Sequence, residues 1–426
     1  MKRILLLCCC IFATLGARAQ LTLDECRRLA REHYPEIRQY DLIRQTAEYT
    51  LSNARQAYLP QLSLTAQATW QTAVTDFPDA MKNMLTQQGT AIPGLNKDQY
   101  KVMLELNQTI WDGGKSSADK QLAHAESAEQ QRSTDVDLYA LEGRVDDLYF
   151  GILLLDERIV QTRLTLELLH SNLDKVRALQ RNGVAMQSDA DAVEAEMLSV
   201  NQQLTQVEAS RDSYRRMLAV FIGRELDNER LLRPDAAEPA AAEPDRPELA
   251  LFDAKIDKFA AQESLVKSST RPRFGLFAQG YYGYPGLNFM QDMLSSDWSW
   301  NAVVGVSMTW NFGGYYTRKN SLGNLRTAQR QVEVQRDVFL FNTRLQTTEE
   351  SGEIIRLRRA LADDDRIVAL RRSVREAAES KLRNEVIDTN DLLGKITDEA
   401  AAATARSARE IELLKAIYEL KHTINQ

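Results

Sequence analysis

The fold of this chain is decided by the stretch Gln61-Leu62-Ser63-Leu64-Thr65-Ala66-Gln67-Ala68-Thr69-Trp70. Polar and apolar side chains alternate along it without exception, so every second residue points to the same face of a strand. One face is apolar and the other polar, which is the pattern of a barrel strand with lipid outside and water inside. A two-sided sheet in a soluble protein is the alternative interpretation, since it gives the same alternation. The pattern of a single barrel strand is too weak to distinguish the two.

Three further stretches show this alternation. It resumes over 102–111, returns over 274–284, and appears again over 298–310. Four of the five tryptophans stand at the ends of such stretches, where an outer-membrane barrel carries its interfacial aromatic girdle. The sequence therefore predicts four barrel strands with the interfacial aromatics Trp70, Trp111, Trp298 and Trp310.

Four strands cannot close a transmembrane barrel, since the smallest ones need about eight. An oligomer must complete the barrel, and closure by several copies also removes the exposed sheet edges. After residue 19 the sequence holds no apolar run long enough for a transmembrane helix. A closed barrel is then the remaining way for this chain to span a membrane.

The strand pairs belong to an internal repeat. Pro35 and Pro247 lie 212 positions apart, and so do Pro60 and Pro272. Two short motifs also return in order, Trp111-Asp112-Gly113-Gly114 as Trp310-Asn311-Phe312-Gly313-Gly314 and Arg181-Asn182-Gly183-Val184 as Arg383-Asn384-Glu385-Val386. Such echoes indicate a duplicated structural unit. We expect a first repeat over 20–233 with strands near 60–112, a solvated connector over 234–247, and a second repeat over 248–426 with strands near 272–312.

Long helices are predicted to follow each strand pair. No proline occurs between Lys115 and Arg181, a stretch that could reach on the order of 100 Å as a helix. Apolar residues step by three and four along it, an unbroken heptad of Leu138, Leu141, Val145, Leu148, Ile152, Leu155 and Ile159. We expect antiparallel hairpins with tips near 182–184 and 384–386, and an earlier helix from Pro35 to near Tyr58.

The first 19 residues resemble a signal peptide, with a basic start, an apolar core of about a dozen residues and Ala17-Arg18-Ala19 before the cleavage point. Cys8, Cys9 and Cys10 lie inside that core, so Cys26 would be the only cysteine of the mature chain and no internal disulfide could form. No lipoprotein site is seen. Without this segment's three basic residues, 50 basic residues stand against 60 acidic ones, which disfavours nucleic acid as a partner.

The motifs that resemble enzyme sites lack residues that the chemistry requires. Gly113-Gly114-Lys115-Ser116 resembles the end of a phosphate-binding loop, but the glycine needed at position 109 is Thr109. A strand-to-helix turn is the better interpretation. The histidines are scattered, with no pair at metal-ligand spacing on one helix. We therefore predict no enzyme activity, no metal site and no cofactor.

Taken together, these features resemble the TolC family of outer-membrane efflux and secretion channels, also called outer membrane factors. The resemblance covers essentially the whole mature chain. It rests on the duplicated order of strands and hairpins and on three motifs: Leu21-Thr22-Leu23-Asp24-Glu25, Leu59-Pro60-Gln61-Leu62 and Trp111-Asp112-Gly113-Gly114. It implies a mainly α fold with β, in which a trimeric outer-membrane β-barrel of four strands per chain continues as a long periplasmic α-helical barrel.

The family resemblance also implies partners and sites. A homotrimer in outer-membrane lipid would dock a periplasmic adaptor, coupled to an inner-membrane pump of the resistance-nodulation-division or ABC type, and carry small molecules or polypeptides. The adaptor-contacting tips would be Asn182, Gly183, Val184, Asn384, Glu385 and Val386, although family members often have glycine where Glu385 stands. A periplasmic adaptor or a structural coiled-coil envelope protein are the alternatives, but an adaptor would have a single hairpin.

Some family members place two aspartates past the second tip, where they constrict the aperture and bind cations. Asp391 matches the first of these positions, whereas the second falls at Gly394. Asp189 is the counterpart of Asp391 in the first repeat. Three copies of one carboxylate around an axis would favour cations. Alternatively, each aspartate faces outward and is stabilised by the N-terminal dipole of its own helix.

Overall fold

The computed structural model describes residues 20–89, 94–183, 185–226, 229–239, 243–384 and 386–425. The predicted signal peptide lies outside the described residues. The chain forms two compact units, and each contains segments of both sequence repeats. The helical unit comprises the described residues up to Tyr40, Gln131–Leu251 and the residues from Val334 onward; the sheet unit comprises Asp41–Gln130 and Phe252–Glu333.

The sheet unit is built on one antiparallel sheet. Its four strands are β2 (Gln61–Trp70), β3 (Asp98–Trp111), β5 (Arg273–Tyr284) and β6 (Ser299–Thr309). They lie in the order β2-β3-β5-β6, which leaves β2 and β6 at the edges. The strands form where the sequence alternates polar and apolar residues, as predicted. The register places Leu64 beside Leu104 and Ala278 beside Val304, so apolar residues meet across the strands.

Helices of the sheet unit are α2 (Gln39–Gln56), α3 (Asp79–Gln87), α7 (Phe289–Asp292), most of α6 (Pro247–Ser268), and the first parts of α4 (Lys115–Arg181) and α8 (Gly314–Arg383). Two of them differ from the prediction. Pro35 begins a 3-10 turn, Pro35–Arg38, and the α-helix follows it as α2. The segment between β2 and β3 contains α3, a short helix that the alternating pattern does not predict.

The helical unit contains two helical hairpins and a small parallel pair of strands. The hairpins are α4 with α5 (Gln187–Ile222) and α8 with α9 (Thr389–Ile424). α4 has 67 residues and α8 has 70, and the bounds of α4 are those predicted from sequence. β1 (Gln20–Leu21) pairs with β4 (Arg230–Leu231) beside α1 (Leu23–His33). The Tyr149 hydroxyl lies 2.9 Å from the Leu21 carbonyl oxygen and holds this region together.

The core of the helical unit lies under α1 and along the heptad of α4. Six of the seven predicted heptad residues are buried, namely Leu138, Leu141, Val145, Leu148, Ile152 and Ile159. Leu21, Cys26 and Leu218 from other elements pack in the same cluster as most of them. Cys26 is fully buried, and burial raises the pKa of its thiol to about 12. Cys26 is thus a small buried side chain within the apolar core.

The predicted strand-to-helix turn is present where β3 leads into α4. Gly113 and Gly114 both have left-handed backbone conformations, with φ of +75° and +86°. A Cβ on Gly113 would also lie 3.1 Å from the Pro272 carbonyl oxygen. Asp112 then caps the helix: its carboxylate accepts hydrogen bonds from the Gly114 and Ser116 backbone N–H groups at 2.9 and 2.6 Å.

Candidate functional site

The first hairpin tip is a short exposed turn between α4 and α5. The Gly183 N–H donates to the Gln180 carbonyl oxygen at 2.9 Å, and the Asn182 N–H donates to that of Leu179 at 3.1 Å. Gly183 has φ of +74°, and a Cβ there would meet open space. Glycine is therefore favoured at this position by its backbone conformation and not by crowding. Val184 lies outside the described residues.

The second tip follows the end of α8 at Arg383, and its described residues include no glycine. The Asn384 side-chain amide donates to the Ser380 carbonyl oxygen at 2.9 Å, and the Val386 N–H donates to that of Lys381 at 3.0 Å. Val386 is exposed. Glu385, the predicted departure from the family pattern, lies outside the described residues. Both tips present exposed asparagines, so each could contact a partner through amide groups.

The two candidate aperture carboxylates occupy equivalent positions in the first turns of α5 and α9, yet they differ in environment. The Asp189 carboxylate accepts a hydrogen bond from the Met186 N–H at 2.7 Å and so helps to cap its own helix. In the second hairpin Asp388 takes the capping role, because its carboxylate accepts from the Asp391 N–H at 2.8 Å. The Asp391 side chain is exposed. Asp391 is the better placed of the two to meet a solvated cation, and its role stays a prediction.

Asp388 was not among the predicted site residues. Its N-cap role could have been predicted, because an aspartate directly before a helix is the usual signal for an N-cap.

One face of the sheet is apolar across all four strands. Neighbouring pairs on it include Leu62 with Leu106, Leu64 with Leu104, Val102 with Tyr282, Leu276 with Val306, and Ala278 with Val304. These side chains are largely exposed in the single chain; Val304, for example, is 78% exposed. An exposed apolar surface of this kind requires an apolar neighbour. Lipid is the neighbour that an alternating strand pattern predicts.

Aromatic side chains gather at both ends of this apolar face. At one end the Trp298 ring lies 5.9 Å from Tyr100 and 5.3 Å from Tyr282, and Trp300 lies 5.0 Å from Tyr282. At the other end Trp111 lies 5.9 Å from Phe274, and Trp310 lies 4.7 Å from Phe312. Trp70 ends β2 and is exposed. The arrangement adds Trp300, Tyr100 and Tyr282 to the predicted interfacial residues.

The opposite face of the sheet is largely polar. It carries Gln67, Lys101, Glu105 and Gln279, since these residues share a register face. The Lys101 ammonium lies 4.1 Å above the Tyr281 ring, a cation–π contact on this face. Polar groups here are suited to a water-filled interior.

Within the described part of the chain, no helix has both the length and the apolar character needed to cross a membrane. Likewise, no group of three or more histidine, cysteine, aspartate or glutamate side chains in that part is arranged to hold a metal ion.

Residues 27–224 match the sequence profile of the family described as outer membrane efflux protein. None of the curated protein sequences matches the chain significantly.

Solved structures with this fold include three outer-membrane proteins. VceC of Vibrio cholerae is 15% identical with a TM-score of 0.67, over 94% of this chain and 95% of that one. The MtrE outer membrane channel of Neisseria gonorrhoeae is 15% identical with a TM-score of 0.65, over 94% and 88%. The CmeC outer membrane channel of Campylobacter jejuni is 12% identical with a TM-score of 0.63, over 94% and 85%. At these identities the likeness establishes the fold, and it confirms the predicted mainly α fold with four β-strands.

Proposed function

We propose that the chain belongs to the outer membrane efflux protein family, whose profile its residues 27–224 match, and that it is a passive trimeric duct. The family profile and the fold both support an outer-membrane channel protein. The duct would serve a tripartite efflux or a type I secretion system and perform no chemistry of its own. The observation that carries the proposal is a four-stranded sheet, apolar on one face and open at both edges, joined in sequence to two long helical hairpins.

Three copies would complete the barrel. Edge strands β2 and β6 each leave one row of backbone groups without a strand partner in the described chain. If β6 of one copy pairs with β2 of the next, three chains give about twelve strands and no free edge. The apolar face would then contact lipid, and the polar face would line a water-filled lumen. The aromatic residues at both ends of the apolar face would lie at the two membrane interfaces.

The helices would extend the duct into the periplasm. We propose that the tips around Asn182, Gly183 and Asn384 contact a periplasmic adaptor, which couples the duct to an inner-membrane pump. The two repeats, 20–233 and 248–426, would each supply one strand pair and one hairpin, joined by the connector over 234–247. Cargo could be small molecules or polypeptides, since selection would belong to the pump.

The first experiment is to separate cell envelopes and to measure the mass of the detergent-extracted particle. We expect a particle in the outer-membrane fraction with about three times the mass of one chain, and a conductance when it is placed in a planar lipid bilayer. A monomer in the soluble periplasmic fraction would contradict the proposal and favour a periplasmic adaptor.

A second experiment tests whether the hairpin tips must separate for transport. The pair Asn182→Cys and Asn384→Cys, in a Cys26→Ser background, should form a disulfide between neighbouring chains. We expect this disulfide to lower conductance and a reductant to restore it. Each single cysteine variant is the matched control. A cross-linked trimer that conducts like its reduced form would disprove the requirement for separation.

A further inference from the structure

Asn172 on α4 is a buried amide without a partner. Its side chain is 2% exposed, and neither its Oδ1 nor its Nδ2 atom has a hydrogen-bond partner among the residues that the structure describes. Almost all buried polar side chains in folded proteins are hydrogen-bonded, because an unmet donor or acceptor keeps its full desolvation cost. A leucine of nearly the same shape would fill this position without that cost.

The neighbours of Asn172 along the helix place it between the two hairpins. Residues 168, 172 and 175 share one face of α4, since they are four and three positions apart. Leu168 packs against the cluster that contains Leu392 of α9 and Ala378 of α8. The Lys175 ammonium lies 3.5 Å from a carboxylate oxygen of Glu379 on α8. This spacing places Asn172 on the side of α4 that faces the second hairpin, and we call the contact surface between α4 and that hairpin the seam.

Near Asn172, polar contacts across the seam are sparse compared with those inside the second hairpin. Further along α4, the Asp147 carboxylate pairs with Lys415 of α9 at 2.7 Å and the Tyr139 hydroxyl donates to the His422 carbonyl oxygen. The Lys175–Glu379 pair is half exposed, and Glu379 also pairs with Arg375 on its own helix. Another polar contact joins α4 to α9: the Gln161 side-chain amide donates to the Ser407 hydroxyl at 3.3 Å.

Inside the second hairpin, by contrast, α8 and α9 are joined by a series of ion pairs: Arg371–Asp398 at 2.8 Å, Arg406–Asp365 at 2.9 Å, Arg372–Glu399 at 3.2 Å, Arg375–Glu399 and Arg409–Asp364. Glu399 is itself buried. At the level of Asn172 the second hairpin is therefore held together by more polar contacts than those that hold it to α4.

We propose that Asn172 is a positioning residue that keeps the seam weak, so that the second hairpin can separate from α4 at this level while remaining intact. The inference rests on the proposed channel function, whose regulation it concerns. The Asn172 amide has no hydrogen-bond partner among the described residues of the packed seam and therefore destabilises it. Separation would let water hydrogen-bond to the amide, which removes the desolvation cost. Asn172 thereby shifts the balance between a closed and an open arrangement of the hairpins.

The test compares Asn172→Leu with the matched control Asn201→Leu, an asparagine at an exposed position of α5. Both changes replace an amide by an apolar group of similar shape. For Asn172→Leu we expect amide hydrogen exchange along the seam, at residues 168–176 and 375–396, to slow by about tenfold or more. Exchange in the first turns of α4 should stay unchanged. Asn201→Leu should alter exchange at neither place.

Channel measurements provide an independent readout. In planar bilayers we expect Asn172→Leu to lower the open fraction by at least several fold, with single-channel conductance unchanged. Exchange that is unchanged or faster in Asn172→Leu would overturn the inference, because the amide would then be satisfied in the packed seam. Slower exchange together with an unchanged open fraction would also overturn it. If neither the wild-type protein nor the variant conducts, the proposed function fails, whereas the exchange result still reports on the seam.

Discussion

Arg27 and Asp146 form a two-pronged, largely buried ion pair between α1 and α4. The Arg27 Nε atom lies 2.8 Å from Asp146 Oδ1, and the Nη2 atom lies 2.5 Å from Oδ2. The exposed side-chain fractions are 17% and 11%. A guanidinium matches both carboxylate oxygens in this geometry, so the pair fixes the direction of α1 as well as its distance from α4.

Removing one member of this pair leaves the other as a buried charge without its partner. We expect Arg27→Ala to lower the free energy of unfolding by about 3–5 kcal/mol, measured by denaturant unfolding in detergent. The neighbouring Arg28→Ala is the control, since Arg28 pairs at the surface with Glu32 and should contribute less than about 1 kcal/mol. Equal losses of unfolding free energy in the two variants would show that the Arg27–Asp146 pair stabilises the protein no more than a surface ion pair does.

His422 predicts a pH dependence of stability. Its ring stacks on Tyr139 at 4.2 Å. Burial, aided by the charges of Arg27 and Arg246, lowers the pKa of His422 from 6.5 to about 4. The unfolded chain therefore binds this proton more readily than the folded protein does. Its contribution to stability is fully present above pH 6.5 and is lost as the pH falls from 6.5 toward 4.

We expect this loss to be on the order of 3 kcal/mol in the wild-type protein. His422→Phe keeps an aromatic ring against Tyr139 and should reduce the slope of unfolding free energy against pH in this window. His170→Gln is the control, because His170 is exposed. If the slope of His422→Phe equals that of the wild type, another group is responsible for the acid sensitivity.

Asp112 should contribute more to the free energy of unfolding than Asn311, its counterpart in the second repeat. The Asp112 carboxylate accepts bonds from Tyr58, Gly114 and Ser116, whereas the Asn311 side chain accepts one bond, 3.3 Å from the Gly314 nitrogen. We expect Asp112→Ala to cost about 1–2 kcal/mol of unfolding free energy and Asn311→Ala less than half of that. Thermal unfolding of the two variants side by side tests this order, and a larger loss for Asn311→Ala would reverse it.

The pKa of Asp112 gives a second signature. Burial alone would raise that pKa, but hydrogen bonds from Ser116, Tyr58 and Gly114 outweigh it and lower the pKa from 3.8 to about 2. The Asp112 contribution is thus present above pH 3.8 and is lost as the pH falls toward 2. Asp112→Asn should remove this part of the acid response.

Two adjacent valines of β6 test which sheet face meets lipid. Val304 lies in register with Ala278 on the apolar face, and Val303 lies in register with Gln279 on the polar face. We expect Val304→Arg to cost about 2–4 kcal/mol in a bilayer and to lower the amount of assembled protein in the outer membrane. Val303→Arg should assemble almost normally. Equal assembly of the two variants would contradict a lipid-facing role for the apolar face.

Local patterns predicted the elements of this fold well, for identifiable physical reasons. Alternation over 61–70 predicts a strand, and it also specifies how the strand pairs, because a shift of one residue would move every side chain to the opposite face. The heptad from Leu138 to Ile159 fixes a long helix and the face that it buries. The paired glycines after Trp111 fix the turn, since their left-handed conformations disfavour other residues.

Other features could not be read from local pattern. The change from a 3-10 turn to a helix after Pro35 depends on packing, and so does the helix within the loop after Trp70. Asp189 and Asp391 stand at matching positions in the sequence, yet one caps its helix and the other is exposed. That difference depends on whether the residue three positions earlier can cap the helix, Met186 in one hairpin and Asp388 in the other.

By itself the sequence determined the four strands, the long helices and the duplicated order in which they follow one another, because these depend on periodicity along the chain. The tertiary structure alone decided the strand order, which places β3 beside β5 from the other repeat, and the partners of Arg27 and His422. It also decided that the buried Asn172 amide has no hydrogen-bond partner among the described residues. Arg27 and Asp146 are 119 positions apart, and Tyr139 and His422 are 283 apart. No local pattern encodes contacts over such separations, since only the packing of whole helices brings these side chains together.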